Sequence, residues 1–198
     1  MLVIIDKEVK DKYRNQYLNL IKKEIEDVEV VDFRESTTLN LKNYNSILVL
    51  EPIDEKFKSQ MKDFFIIYPE KDIEGSYTKK LTITAESILS VLPIDLKAKT
   101  IMIINQSEIL GKPLAKELID RGANVISLNS SFKEILISLY HLKIDILISA
   151  SGNNNFQISS YFLKNIPLKI DLSNDLVIED KIISIPTIEI LKKRYKKL

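Results

Sequence analysis

The chain has 198 residues, 29 Lys+Arg against 28 Asp+Glu, 45% hydrophobic and 29% charged residues, no cysteine and a single histidine, His141. That is the composition of an ordinary globular chain of one or two domains. It excludes disulfides, thiolate metal sites and multi-histidine metal centres, and its near-zero net charge supplies no field to draw the chain to nucleic acid or to an anionic membrane.

The opening MLVIIDKEVK has too short an apolar run, and no small-residue cleavage site, for a signal peptide. No run approaches the roughly 20 residues of a membrane span, so a cytoplasmic location is expected. LVII (2–5) reads as a strand. Residues 8–25 carry Val9, Tyr13, Tyr17, Leu20, Ile21 and Ile25 mostly three and four apart, the period of a helix. VEVVDF (28–33) and SILVL (46–50) are predicted strands, 54–63 a helix, and FFII (64–67) a strand stopped by Pro69. The polar stretch 68–83 reads as a loop or linker, with Thr84 as the N-cap of the helix that follows.

The second half repeats the alternation. TIMII (100–104), NVISL (124–128), DILISA (145–150) and PLKIDL (167–172) are predicted strands. Helices are predicted over 112–121, 132–142 and 159–164, with His141 at the end of the second. LVIED and KIISIP look like a short hairpin, and 187–197 a last amphipathic helix whose basic run, KKRYKK, reads as a solvated helix end. Strands alternating with helices imply parallel pairing. The expected fold class is α/β with two lobes: an N-terminal α/β lobe over residues 1–80, joined by the C-terminal helix 187–198, and a Rossmann-like parallel-sheet lobe over 81–186.

Ligands of open α/β sheets bind outside the carboxyl ends of the strands. Here those ends carry Asn105-Gln106-Ser107, Asn129-Ser130 and Ala150-Ser151-Gly152, which should converge. Gly111 permits close backbone approach, and Pro113 suits a first helical turn whose free amides could take an anion. A nucleotide crevice and ordinary loop chemistry are both consistent with spacing alone.

The wording of these loops goes further. IINQSEILGKPLAKELIDRGANV, with DILISASGNNNF and KIDLSND, resembles the bifunctional methylenetetrahydrofolate dehydrogenase/cyclohydrolase family. That family's Gly-Arg-Ser-x-Ile-Val-Gly-x-Pro is matched by Asn105 to Pro113, with Ser107, Ile109, Gly111 and Pro113 kept. Its Ala-Asp-Ile-Leu-Val-x-Ala-x-Gly-x-x-x-Phe looks like Ile144 to Phe156, and its Ile-Asp-Val-Gly-Ile-Asn like Ile170 to Asp175. PEKDIEG (69–75), SILVLEP (46–52) and TITAESI (82–88) are similar to three further family motifs in the same order, so the resemblance covers most of residues 1–186.

The resemblance implies hydride transfer from a methylene-tetrahydropterin, such as methylenetetrahydrofolate, to NADP or NAD, followed in the family by hydrolysis of the methenyl product. It implies a pterin-binding N-terminal lobe and dinucleotide contacts at Asn105, Gln106, Ser107, Ser130, Ala150, Ser151, Gly152 and Asn174. It also implies a homodimer; that no metal and no nucleic-acid or membrane partner is expected follows from composition and charge. Tyr13 matches the family's helix tyrosine, but the catalytic lysine four residues on is Tyr17 here. Glu74 stands for the aspartate that grips the pterin, Leu50 for a glutamine, and Gln106 for the arginine credited with the 2′-phosphate of NADP. A glycine-rich loop before the last helix is replaced by Ile185-Pro186-Thr187. Tyr13, Tyr17 and Glu74 are therefore the candidate catalytic residues, with cyclohydrolase activity expected to be weak or lost. A non-catalytic binding or scaffold relative, or a dehydrogenase of another small substrate, are the competing readings.

Overall fold

β1 (Leu2–Ile5) shows how the N-terminal unit is layered. It is buried throughout, as a central parallel strand should be, and its alternating side chains divide between two cores. Val3 and Ile5 join Leu18, Ile21 and Leu191 on one face. Leu2 and Ile4 join Phe57, Met61 and Phe65 on the other. The computed structural model describes residues 1–8, 12–36 and 40–196, and the chain divides into two compact units, Met1–Ile83 with Thr187–Leu198, and Thr84–Pro186.

In the first unit α1 (Lys12–Glu24), β2 (Glu29–Asp32), α2 (Phe33–Ser36), β3 (Ile47–Val49) and α3 (Glu55–Ile67) follow β1. The three strands are parallel in the order β2-β1-β3. FFII is not a strand but the end of α3. Asp54 caps that helix by accepting from the amides of Lys56 and Phe57 at 2.9 and 3.2 Å. Phe57, Met61 and Phe65, four apart, form its buried face. The helical period outweighs the β propensity of a four-residue apolar run, and Ile66 and Ile67 are left 70% and 69% exposed.

Residues 68–82 are tightly folded rather than a plain linker. After a 3₁₀ turn at Pro69–Lys71, Asp72 pairs with Ile47. Its carboxylate accepts from the amides of Gly75, Tyr77 and Thr78 and from the Thr78 hydroxyl. α4 (Ile83–Val91) begins one residue before Thr84, so Thr84 lies inside the first turn and is not the cap. The orphan amide of Ile83 is met instead by the carboxyl of Glu74, 3.2 Å away, a long-range partner that no local cap signal announces.

The second unit continues through β4 (Thr100–Ile104), α5 (Gly111–Asp120), β5 (Asn124–Leu128), α6 (Ile135–His141), β6 (Ile146–Ser149), β7 (Ile158–Ser159), α7 (Ser160–Leu163), β8 (Leu168–Asp171) and β9 (Leu176–Val177). Its main sheet is parallel in the order β5-β4-β6-β8. Met102, Ile104 and Leu147 pack on Ile135 and Leu139 of α6, and α5 packs against β4 and β5. α6 starts later than predicted because Asn129 first closes a turn, accepting from the amide and hydroxyl of Ser131 at 3.0 Å each. The predicted hairpin is absent from this region: β9 pairs in parallel with β7, and Ile182 bridges to Ile170. Lys181 separates the two halves by turning onto Asp171. α8 (Thr187–Tyr195) returns the chain to the first unit, burying Ile188 and Leu191. Among the described residues no helix is long and apolar enough to cross a membrane.

Candidate functional site

The strand order of the second unit places a crevice. β5 and β6 flank β4 on opposite sides, so the chain changes direction of travel across the sheet at β4, and side chains beyond its carboxyl end face an opening between the two crossovers. Asn105 to Gly111 fill that position. The Asn105 carbonyl oxygen Oδ1 accepts from the amides of Ser107 and Gly111, at 2.9 Å each, and from the Ser107 hydroxyl at 2.8 Å. Its Nδ2 donates to the Ala150 carbonyl at 2.7 Å, tying the β4 loop to the β6 loop. Gly111 is held so close that a Cβ there would lie 2.0 Å from the Asn105 backbone oxygen. Pro113 is in the first turn of α5, but the expected free amides are engaged: Leu110 and Gly111 donate to the Ser107 hydroxyl and to Asn105, and Lys112 to the Ser107 carbonyl. As they stand, these three amides are not free to take an anion, contrary to what Pro113 at the helix start suggests.

Asn105, Gln106, Ser107, Ser130 and Ser151 line one cavity of about 290 Å³. Gln106 also borders a neighbouring cavity of about 470 Å³ with Asn129, Ser131 and Lys133, and its amide donates to the Ser127 carbonyl at 3.0 Å. Lys112 pairs with Glu108. Ala150 is buried, with its carbonyl committed to Asn105. Gly152 takes φ +65° with open space where a side chain would stand. Asn174 is exposed with φ +60°, at the tip of the turn after β8, and lines neither cavity.

Two buried carboxylates hold these loops in place, and neither was singled out from sequence. Asp175 accepts from the Ser149 hydroxyl at 2.5 Å, the Ser151 amide at 3.0 Å and the Ser151 hydroxyl at 2.6 Å. Asp171 accepts from the amides of Ser173, Asp175 and Leu176 and from the Lys181 ammonium at 2.6 Å. Burial opposes ionisation of Asp171, but Lys181 and those amides overcome it and hold its carboxyl below the usual range. The run Asp-Leu-Ser-Asn-Asp is turn chemistry; only the fold turns its acids inward.

The catalytic candidates belong to the first unit. Tyr13 falls on α1, but its side chain is outside what the structure describes. Tyr17, one turn on, is half-buried against the α1–α8 core. Its hydroxyl is buried with no hydrogen-bond partner among the described residues. Burial, joined by the charge of Glu74, pushes that hydroxyl far above the ordinary tyrosine range. Glu74 is itself buried, and burial lifts its carboxyl to about 8, with Arg194 opposing and Asp72 assisting. Arg194 belongs to the basic run for which the sequence predicts a solvated helix end. Instead its guanidinium donates to the carbonyls of Ile73 and Glu74 at 2.9 Å each and of Leu81 at 2.6 Å, clasping the loop that carries Glu74. Leu50 is buried in the same core. No group of three or more His, Asp and Glu side chains among the described residues is placed to hold a metal ion.

Residues 82–184 match the family model "Tetrahydrofolate dehydrogenase/cyclohydrolase, NAD(P)-binding domain". The bifunctional protein FolD of Nitrosopumilus maritimus is 34% identical over 155 residues, covering 68% of this chain and 52% of that protein. The FolD of Clostridium botulinum is 30% identical over 148 residues, covering 68% and 51%. The chain thus spans about half the length of these curated relatives. The 5,10-methylenetetrahydrofolate dehydrogenase of the silkworm Bombyx mori superposes with a TM-score of 0.72 at 20% identity, over 99% of this chain and 85% of that one, a likeness of fold. With more than half of its residues inside that model, the chain belongs to the tetrahydrofolate dehydrogenase/cyclohydrolase family, matched through the NAD(P)-binding domain.

Proposed function

We propose that the chain is an NAD(P)-dependent dehydrogenase of a methylene-tetrahydropterin, methylenetetrahydrofolate being the substrate to test first, with hydrolysis of the methenyl product weak or lost. The observation that carries this reading is the gathering of Asn105, Gln106, Ser107, Ser130 and Ser151 around one cavity at the sheet's switch point. Two features support a dinucleotide there: Gly152 leaves open space for close backbone approach, and hydroxyl and amide groups line the cavity without an acid. The bound nicotinamide supplies the hydride acceptor; the chain supplies orientation.

Gln106 brings no charge to the rim, so NADP and NAD should differ little in affinity. Gln106→Arg should raise NADP over NAD by about tenfold, the worth of one charge-assisted pair. In the first unit Tyr13 and Glu74 are the residues proposed to place the pterin, with the Tyr17 hydroxyl enclosed in the core one turn from Tyr13. A carboxyl near 8 is largely protonated at neutral pH and can donate as well as accept. The Tyr17 hydroxyl has a donor to offer, but no ammonium with which to stabilise developing negative charge as a lysine does. A cytoplasmic homodimer is part of the same proposal.

Burial of Leu50 in the core, where the family has a polar side chain, and the direct passage from Pro186 into α8 favour a second reading, a binding relative without turnover. Calorimetry with NADP and NAD, followed by absorbance of the reduced cofactor with methylenetetrahydrofolate, separates the two. Turnover should appear and fall at least 100-fold in a folded Ser107→Trp variant. Absence of binding of either dinucleotide at millimolar concentration refutes the dehydrogenase.

A further inference from the structure

At the end of the second unit opposite the rim, the chain leaves α6 and α7 and enters β6 and β8. The turns there border a cavity of about 600 Å³, inside the roughly 300–1,000 Å³ of small-molecule pockets. Its wall holds Tyr140, His141 and Lys143 from the end of α6, and Tyr161, Lys164 and Asn165 from α7 and the residues after it. No Asp or Glu borders it.

Several other lysines of this unit have an acid beside them: Lys112 with Glu108, Lys116 with Asp120, Lys169 with Asp180, Lys181 with Asp171. Among the described residues Lys143 and Lys164 have none. Tyr140 and Tyr161 are 64% and 63% exposed. Carbonyls at helix ends attract cations, which accounts for a lysine beside each helix. α6 and α7 span only seven and four residues, however. Their ends do not account for two exposed aromatic rings and two lysines without an acid partner bordering one acid-free cavity.

We propose that this cavity is a second small-molecule site, separate from the rim, for an aromatic phosphate: a planar ring stacking on Tyr140 or Tyr161 and a phosphate group paired with Lys143 and Lys164. Aromatic faces take planar rings, and ammonium groups take phosphate as point charges. The site does not depend on the dehydrogenase reading.

The probe is adenosine 5′-monophosphate, with adenosine and inorganic phosphate as ring-only and charge-only arms, titrated by calorimetry onto the full chain and onto its Ser107→Trp variant, in which the rim is blocked. Binding of the monophosphate should persist in Ser107→Trp and exceed that of either arm. It should fall at least tenfold in the double variant Lys143→Glu/Lys164→Glu and severalfold in Tyr161→Ala, all exposed positions whose folding circular dichroism confirms. Binding that disappears with Ser107→Trp, or ignores the charge reversal, belongs to the rim and overturns the proposal. So does inorganic phosphate binding as tightly as the nucleotide, or no binding at millimolar concentration. A molecular mass that halves on charge reversal, without nucleotide binding, would give the cavity to a second copy of the chain and overturn it equally.

Discussion

Glu74 in the first unit and Asp171 in the second are both buried carboxyl groups with a cation nearby, and they respond oppositely. Asp171 has three amide donors and the Lys181 ammonium on its oxygens, so its charged form is favoured despite burial. Glu74 has the Ile83 amide at 3.2 Å, while the Arg194 guanidinium is directed at three backbone carbonyls. There burial wins and the carboxyl rises to about 8. Proximity to a cation does not decide the charge of a buried acid; the donors placed on its oxygens do.

Breaking the Asp171 side should have the largest effect. Asp171→Asn leaves Lys181 with its ammonium on the Leu176 carbonyl and no opposing charge, in a setting where side-chain exposure is 11% for the lysine and 0% for the aspartate. Removing one partner of a buried pair costs about 3–5 kcal/mol, measurable by guanidinium unfolding at pH 7. A loss under 1 kcal/mol would mean that the amide donors alone hold the turn. Because the folded pKa is depressed, this contribution is present above the ordinary carboxylate value and is lost as pH falls through the folded one.

Glu74 should show the opposite sign. Its folded pKa, about 8, lies above the ordinary 4.5, so between those values the folded chain keeps a proton that the unfolded chain has released. Stability should therefore decline with rising pH across that window, by about 1.4 kcal/mol per unit for one proton. Glu74→Gln keeps an oxygen for the Ile83 amide and removes the titration. The difference between the two chains should grow by about 3 kcal/mol from pH 5.5 to 7.5, in favour of the variant. Parallel stability curves across that range would show Glu74 ionised and the contrast with Asp171 wrong.

How much of this the sequence announced follows from the range of each signal. β1, β4 and β6 were legible because buried parallel strands are apolar on both faces. FFII misled because four apolar residues carry no period of their own; the Asp54 cap and the 57-61-65 spacing resolve it. The rim residues Asn105 to Ser107 could be placed from strand ends alone. Asp175, Arg194 and the capping of α4 by Glu74 could not. Asp175 reaches back 24 and 26 residues, Glu74 forward by nine, and Arg194 back by more than a hundred, and an Asp in a turn or an Arg in a basic tail looks like surface until the fold turns it inward.

The smallest test bears on whether Asp175 orders the rim or only stabilises it. Ser151→Ala removes one charge-assisted hydrogen bond at 2.6 Å and leaves Asp175 its bonds to the Ser149 hydroxyl and the Ser151 amide. The carboxylate stays satisfied, so the stability loss should be about 1–2 kcal/mol, below that of Asp171→Asn. The Ser151 hydroxyl also accepts from the Asn153 amide at 3.0 Å, so its loss frees the start of the 152–155 turn. If Asp175 positions the loop through Ser151, dinucleotide affinity should drop by about tenfold while Ser151→Thr, which keeps the hydroxyl, restores most of it. Equal losses in the alanine and threonine variants would instead assign the effect to crowding of the Ser151 backbone.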